Sequence, residues 1–281
     1  MKHGIFLPPF DEMSDPRRVG ALAAEAEQTG WDGMFVWDHM LADPGMAVAD
    51  PWIVMAAIAM STTRLRTGPM VTPLARRRPW VLARQIASLD ILSGGRLTIG
   101  VGLGDDGWRE FSSFGDEVSP RRRGEMLDES LQILQGLLSG SPVDFAGEHF
   151  TVHTTSFLPK PVQDPVPIWA AVRWPNRKPL ARAARLPGCF PIFAGSGQLP
   201  APPETSDLTE RRAALAARGA PPGHDVAVRV ALHRLPESQR PDTVAALAAA
   251  GVTWVLEAFE PGHDAAQIEA WVRAGPPAAA H

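Results

Sequence analysis

Eight times along its 281 residues the chain passes from a short apolar run to a stretch with helical spacing, and this alternation restricts it to a parallel α/β architecture. Strands are expected at 2–7, 33–37, 65–71, 96–101, 166–172, 189–193, 226–232 and 253–258. Helices are expected at 16–29, 51–61, 79–92, 120–138, 179–186, 207–218, 241–250 and 264–274. In the first helix Val19, Leu22, Ala23 and Ala26 fall at i, i+3, i+4 and i+7, between a Ser14-Asp15-Pro16 start and Gly30 as the left-handed stop. The strands are continuous apolar runs, as required when helices cover both faces of a sheet. Eight βα units in a chain of this length favour a closed (β/α)8 TIM barrel over an open doubly wound sheet. A single domain over 1–274 is expected, with a disordered tail at 275–281. Two stretches interrupt the rhythm: a hairpin at 143–152 before the fifth strand, read as a lid or rim element, and a proline- and glycine-rich rim loop at 195–203.

Composition removes several function classes. A formal charge of −4 argues against charge-driven binding to nucleic acid or an anionic membrane. The single cysteine, Cys189, excludes an intramolecular disulfide and any multi-cysteine metal site. The run 53–60 is too short to span a bilayer, which takes roughly 20 residues. No secretory segment opens the sequence, so the expected address is the cytoplasm. Neither Gly-x-Ser-x-Gly nor His-Glu-x-x-His occurs, and His149 and His153 fall in the hairpin rather than on a helix, so acyl transfer and metal-dependent hydrolysis have no foothold.

In a barrel the chemistry gathers at the C-terminal ends of the strands. Those ends carry Trp37-Asp38-His39, Met70-Val71-Thr72-Pro73, Gly100-Val101-Gly102-Leu103-Gly104-Asp105 and Arg173-Trp174-Pro175-Asn176-Arg177. The glycine run fails as a dinucleotide fingerprint because Asp105 stands where the third glycine belongs and a loop follows. Gly102 and Gly104 instead mark close backbone approach at a strand end, compatible with a flat cofactor. Arg173, Asn176 and Arg177 offer guanidinium and amide groups to a phosphate just before a helix N-terminus, or form a basic surface loop. Arg76-Arg77-Arg78 reads first as a solvated face, and Trp37, Trp52, Trp108 and Trp174 as candidate walls of an apolar pocket.

The block TTRLRTGPMVTPLARRRPWVLARQIASLDILSGGRLTIGVGLG at 62–104 resembles the luciferase-like flavin-dependent oxidoreductases, including their F420-dependent branch. EAEQTGWDGMFVWDH at 25–39, RRRGEMLDESLQIL at 121–134, and FAGEHF with LPKPVQDPVPIW over 145–169 agree, so the resemblance covers 2–193. It implies FMN or coenzyme F420 at the barrel mouth and hydride transfer or flavin-mediated oxygenation of a small organic substrate. His39 would then donate or accept a proton beside the ring or orient the substrate. Asp105 falls where F420-using relatives often carry an acid, although Asp106 beside it leaves a pair of solvated loop residues as the alternative. Met70-Val71 falls where relatives often have a cis peptide against the ring; a plain strand before a Thr-Pro turn is the other reading. Arg173-Trp174-Pro175 replaces the family's usual glycine-rich turn. A separate flavin or F420 reductase and a homodimer are the partners the resemblance implies. A non-catalytic flavin-binding barrel, and a barrel without flavin, stay open as alternatives.

Overall fold

The structure, a computed structural model, describes residues 1–173, 177–192 and 202–277, without the side chain of Arg177. Among the described residues eleven strands and eight α-helices follow one another: β1 (Lys2–Leu7), α1 (Pro16–Gln28), β2 (Gly33–Val36), α2 (Pro51–Ser61), β3 (Arg66–Pro69), β4 (Thr72–Pro73), α3 (Pro79–Ser93), β5 (Ile99–Gly102), α4 (Pro120–Leu138), β6 (Val143–Ala146), β7 (Thr151–Thr154), β8 (Ile168–Arg173), α5 (Arg177–Ala183), β9 (Gly188–Ile192), α6 (Thr205–Ala216), β10 (Asp225–Val230), α7 (Arg240–Ala249), β11 (Trp254–Ala258) and α8 (Ala265–Ala274). Nine strands form one parallel sheet in the order β3-β2-β1-β11-β10-β9-β8-β5-β4. Because β3 and β4 are two halves of one strand, the first paired with β2 and the second with β5, the sheet closes into an eight-stranded barrel. The halves part at Met70–Val71, whose peptide bond is cis.

Local chemistry starts the helices where the sequence puts them. Asp15 caps α1 through the N–H of Arg17, Asp50 caps α2 through Trp52 and Ile53, and Pro16, Pro51, Pro79 and Pro120 supply the fixed first-turn φ. Apolar burial is split between two layers. Inside the barrel Phe6, Phe35, Met70, Trp169, Phe190, Ala227, Trp254, Leu256 and Ala258 form a plug, with Phe35, Trp169 and Trp254 meeting at ring separations of 5.5–5.7 Å. The larger layer lies between strands and helices.

The β6–β7 hairpin is not a lid. Val143 pairs with Thr154 and Ala146 with Thr151, and the Glu129 carboxylate of α4 accepts the N–H groups of Glu148, His149 and Phe150 in the turn. Buried Phe150 meets the Trp80 ring of α3 at 6.4 Å, so the hairpin is clamped to the outside of the helix layer. The rim loop expected at 195–203 lies outside the described residues up to 201, as does the tail from 278. Gly275 is ordered as the stop of α8. Among the described residues no helix is long and apolar enough to cross a membrane.

Candidate active site

Above the aromatic plug the barrel mouth opens into a cavity of about 1170 Å³, lined by residues from the ends of most of the strands and the loops that follow them. It brings together His39, Met70, Val71, Gly104, Asp105 and Arg173. Gly102 is buried beneath this surface: a Cβ there would come within 2.7 Å of Val71 Cγ2. Gly104 has φ +74, and a Cβ on it would meet Phe111 and Pro73 below 3.0 Å. Both glycines are therefore required by protein packing at the cavity wall. Asn176 lies outside the described residues, and Arg177 contributes only its backbone, as the first residue of the seven-residue α5.

His39 is fixed by a carboxylate that no sequence pattern singled out. Its Nδ1 lies 2.7 Å from Oε2 of Glu110, whose other oxygen accepts the N–H of Met40 and, at 3.0 Å, Nη1 of Arg76. Arg76 continues to Asp38 Oδ1 at 2.8 Å, and Arg77 grips the same carboxylate with Nε and Nη2. Asp38 and Glu110 side chains are 0% and 3% exposed, which gives the unbroken ionic chain its weight. Burial pushes the Glu110 carboxyl up, but the His39 and Met40 hydrogen bonds and the Arg76 charge outweigh it and hold it below the ordinary glutamate value. With Nδ1 engaged, His39 has Nε2 for a ligand in the cavity, the tautomer being assigned by this hydrogen bond.

This network corrects the reading of Arg76 and Arg77 as a solvated face. Both turn inward because Asp38, buried at the end of β2, needs compensating charge; Arg78 alone is exposed. Trp108 meets the His39 ring edge-on at 4.8 Å, and Trp37 lines the cavity with a buried Nε1 that has no hydrogen-bond partner. Trp52 belongs to the outer layer, under Arg77, and Trp174 lies outside the described residues.

The two aspartates after β5 divide their work. Asp106 accepts the N–H groups of Phe111 and Ser112 and is held below the ordinary aspartate value chiefly by the first, so it shapes the loop. Asp105 is exposed to the cavity and accepts only the N–H of Gly107, at 2.8 Å.

Arg123, in the first turn of α4, is a second unforeseen residue. It is 4% exposed, lines the cavity, and stacks its guanidinium 4.4 Å from the Phe111 ring centroid. Its Nε and Nη1 are buried with no hydrogen-bond partner. Unpaired buried guanidinium nitrogens are costly, and the nearby Asp106 carboxylate, which the Arg123 charge helps to hold below its ordinary value, offsets part of that cost. Lys178 and Arg182 line the same wall, the latter paired with Asp128 at 2.7 Å.

Known proteins share this chain's sequence pattern and its barrel. The luciferase-like monooxygenase family profile matches residues 1–280. An F420-dependent glucose-6-phosphate dehydrogenase of Amycolatopsis mediterranei is 32% identical over 168 residues, 58% of this chain and 50% of that protein. The chain thus spans about half the length of the F420-dependent glucose-6-phosphate dehydrogenases it matches. Among solved structures, the coenzyme F420 dependent tetrahydromethanopterin reductase of Methanopyrus kandleri superposes with a TM-score of 0.75 over 97% of this chain and 96% of its own, at 19% identity. The oxygenating constituent of 3,6-diketocamphane monooxygenase from Pseudomonas putida, in complex with FMN, gives 0.66 over 82% and 66%, at 19% identity. At such identity these structures establish the barrel fold.

Proposed function

Since the chain belongs to the luciferase-like monooxygenase family, we propose that it is an oxidoreductase that binds coenzyme F420 or FMN in the mouth cavity and acts on a small organic substrate. The observation that carries this reading is the presence, in one cavity, of the Glu110-held His39 and of Arg123, whose Nε and Nη1 have no hydrogen-bond partner. A phosphate-bearing cofactor fits that pair: Arg123 and Lys178 would hold phosphate, and Met70, Val71 and Trp37 would wall the ring. When bound, such a group supplies hydride-transfer chemistry. With Nδ1–H donating to Glu110, His39 presents Nε2 to accept a proton or the hydrogen bond of a substrate hydroxyl, while Trp108 and Phe10 pack around the imidazole and limit water. Asp105 is a further candidate acid or base, and Arg173 with Arg177 and Asn176 further phosphate contacts.

Fluorescence titration with F420 and with FMN tests the reading. Saturable one-to-one binding of either is expected, and a folded protein that binds neither overturns it. F420, named for the curated relatives, is the first to try.

A homodimer through α2 and α3 is part of the proposal. The sequence of α2 holds no charged side chain, and Ile53, Met60, Val81, Ile91 and Leu92 of the two helices are exposed. Light scattering should return twice 30.3 kDa, and a monomer contradicts it. A separate reductase that recharges the cofactor, and a cytoplasmic location, complete the proposal.

A further inference from the structure

We propose that the substrate carries an anionic head group, a carboxylate or a phosphate monoester, and that Arg229 receives it. The inference rests on the reading of the mouth cavity as the shared site of cofactor and substrate.

Strand parity places Arg229. On β10, Ala227 packs into the plug inside the barrel, so Arg229, two residues on, faces the same interior at the level of the mouth. It is half-buried and lines the cavity. The β9–β10 register pairs Asp225 with Gly188 and Val226 with Cys189; continued along both strands, it sets Arg229 level with Ile192. Phe6, Trp37, Phe190, Ile192 and Ala258 supply apolar wall to the same cavity, and Glu260 lines it as well.

Its position around the barrel separates it from the cofactor groups. With β3 and β4 counted as one strand, β10 stands four strands from Met70–Val71 in either direction. The cavity therefore lies between Met70–Val71 on one side and Arg229 on the other, while Arg123 and Lys178 belong to the α4 and α5 quarter. A substrate on the open face of a ring held at Met70–Val71 would reach toward Arg229.

Arg229 already has interactions within the protein; one carboxylate acting on it is Glu260, which also pairs with Arg234 at 3.6 Å. Burial pushes the Arg229 guanidinium below its ordinary value, with Glu260 pulling the other way. A substrate carboxylate or phosphate would add to that compensation, and the five-donor fork of arginine suits both head groups. A neutral isostere would enter the same apolar chamber without this gain.

Calorimetric titration of the cofactor-loaded protein with benzoate, phenyl phosphate and neutral benzamide tests the proposal, with Arg229→Gln and Arg229→Lys alongside wild type. At least one anion should bind wild type more tightly than benzamide by about tenfold or more. Arg229→Gln should abolish that preference, Arg229→Lys should retain part of it, and cofactor affinity should stay unchanged in both. The better of the two anions identifies the head group. Equal affinity for benzamide and both anions in wild type would overturn the proposal, as would a preference that survives in Arg229→Gln. Parallel loss of cofactor affinity in Arg229→Gln would also overturn it, because Arg229 would then serve the cofactor. Failure of wild type to bind F420 or FMN is read before any anion is added and counts against the cofactor reading alone; the three probes are then titrated into the apoprotein by the same criteria.

Discussion

Glu110 lies 71 residues from His39 in sequence and 2.7 Å from it in space, and it ties the imidazole to a buried ionic chain running through Arg76 to Asp38 and Arg77. The loop after β5 thereby sets the orientation of a side chain at the end of β2. Arg109, at φ +58, takes the left-handed turn that lets its own side chain stay exposed while the next residue enters the barrel mouth.

Glu110→Gln should lower turnover about 10- to 100-fold while leaving cofactor affinity nearly unchanged, because the carboxylate orients His39 and does not face the phosphate wall. His39→Ala should cost more, about 10²- to 10⁴-fold. The ¹⁵N spectrum of His39 separates orientation from folding: wild type should show one tautomer protonated at Nδ1, and Glu110→Gln a mixture. An unchanged spectrum contradicts the positioning role.

Asp38→Ala should destabilise the fold by about 3–5 kcal/mol, since it leaves Arg76 and Arg77 buried without their shared anion. Urea unfolding measures it. A loss below about 1 kcal/mol, the range of a surface ion pair, would contradict the burial argument.

Acid stability should depend on Glu27. Although burial opposes it, the N–H groups of Arg64, Leu65 and Thr63 bring this carboxyl down to about 2 from an ordinary 4.5. A depressed carboxyl stabilises the fold above its unfolded value and loses that contribution as pH falls through the folded one. Wild type should therefore lose stability between about pH 5 and pH 2, and Glu27→Gln should flatten that stretch of the curve. Coincident curves would contradict the weight given to these hydrogen bonds.

Cys189 should resist thiol reagents in the native protein at pH 8. It is 0% exposed, and burial pushes its thiol up to about 12. Labelling with a chromogenic disulfide should appear only on unfolding, and rapid native labelling would contradict this.

The barrel was legible because each βα unit is written locally. Pro51 opens a helix that Ser61 closes, Pro120 one that Leu138 closes, and the first strand runs from Lys2 to Leu7 as expected. The site was legible only in part. His39 and the Met70–Val71 break stand at strand ends that topology alone brings to the mouth. Arg76, Arg77, Glu110 and Arg123 take their meaning from partners or neighbours far away or absent from the sequence pattern: three consecutive arginines read as a surface, and Glu110 sits in a polar loop. Arg123 is one of three arginines in a helix start, and only burial distinguishes it from exposed Arg121 and Arg122. The hairpin stands before the fifth barrel strand as expected, but its hold on Glu129 in the middle of α4 was not legible, so a lid remained open beside a rim element.

The most direct measurement compares FMN with riboflavin, and F420 with its phosphate-free deazaflavin nucleus, in wild type and in Arg123→Gln. Wild type should prefer the phosphate-bearing member of at least one pair, and Arg123→Gln should reduce that preference about 10- to 100-fold while binding the phosphate-free member as before. Equal affinities within both pairs in a folded wild type, or a preference untouched by Arg123→Gln, would contradict the assignment of this cavity to a phosphate-bearing ring cofactor.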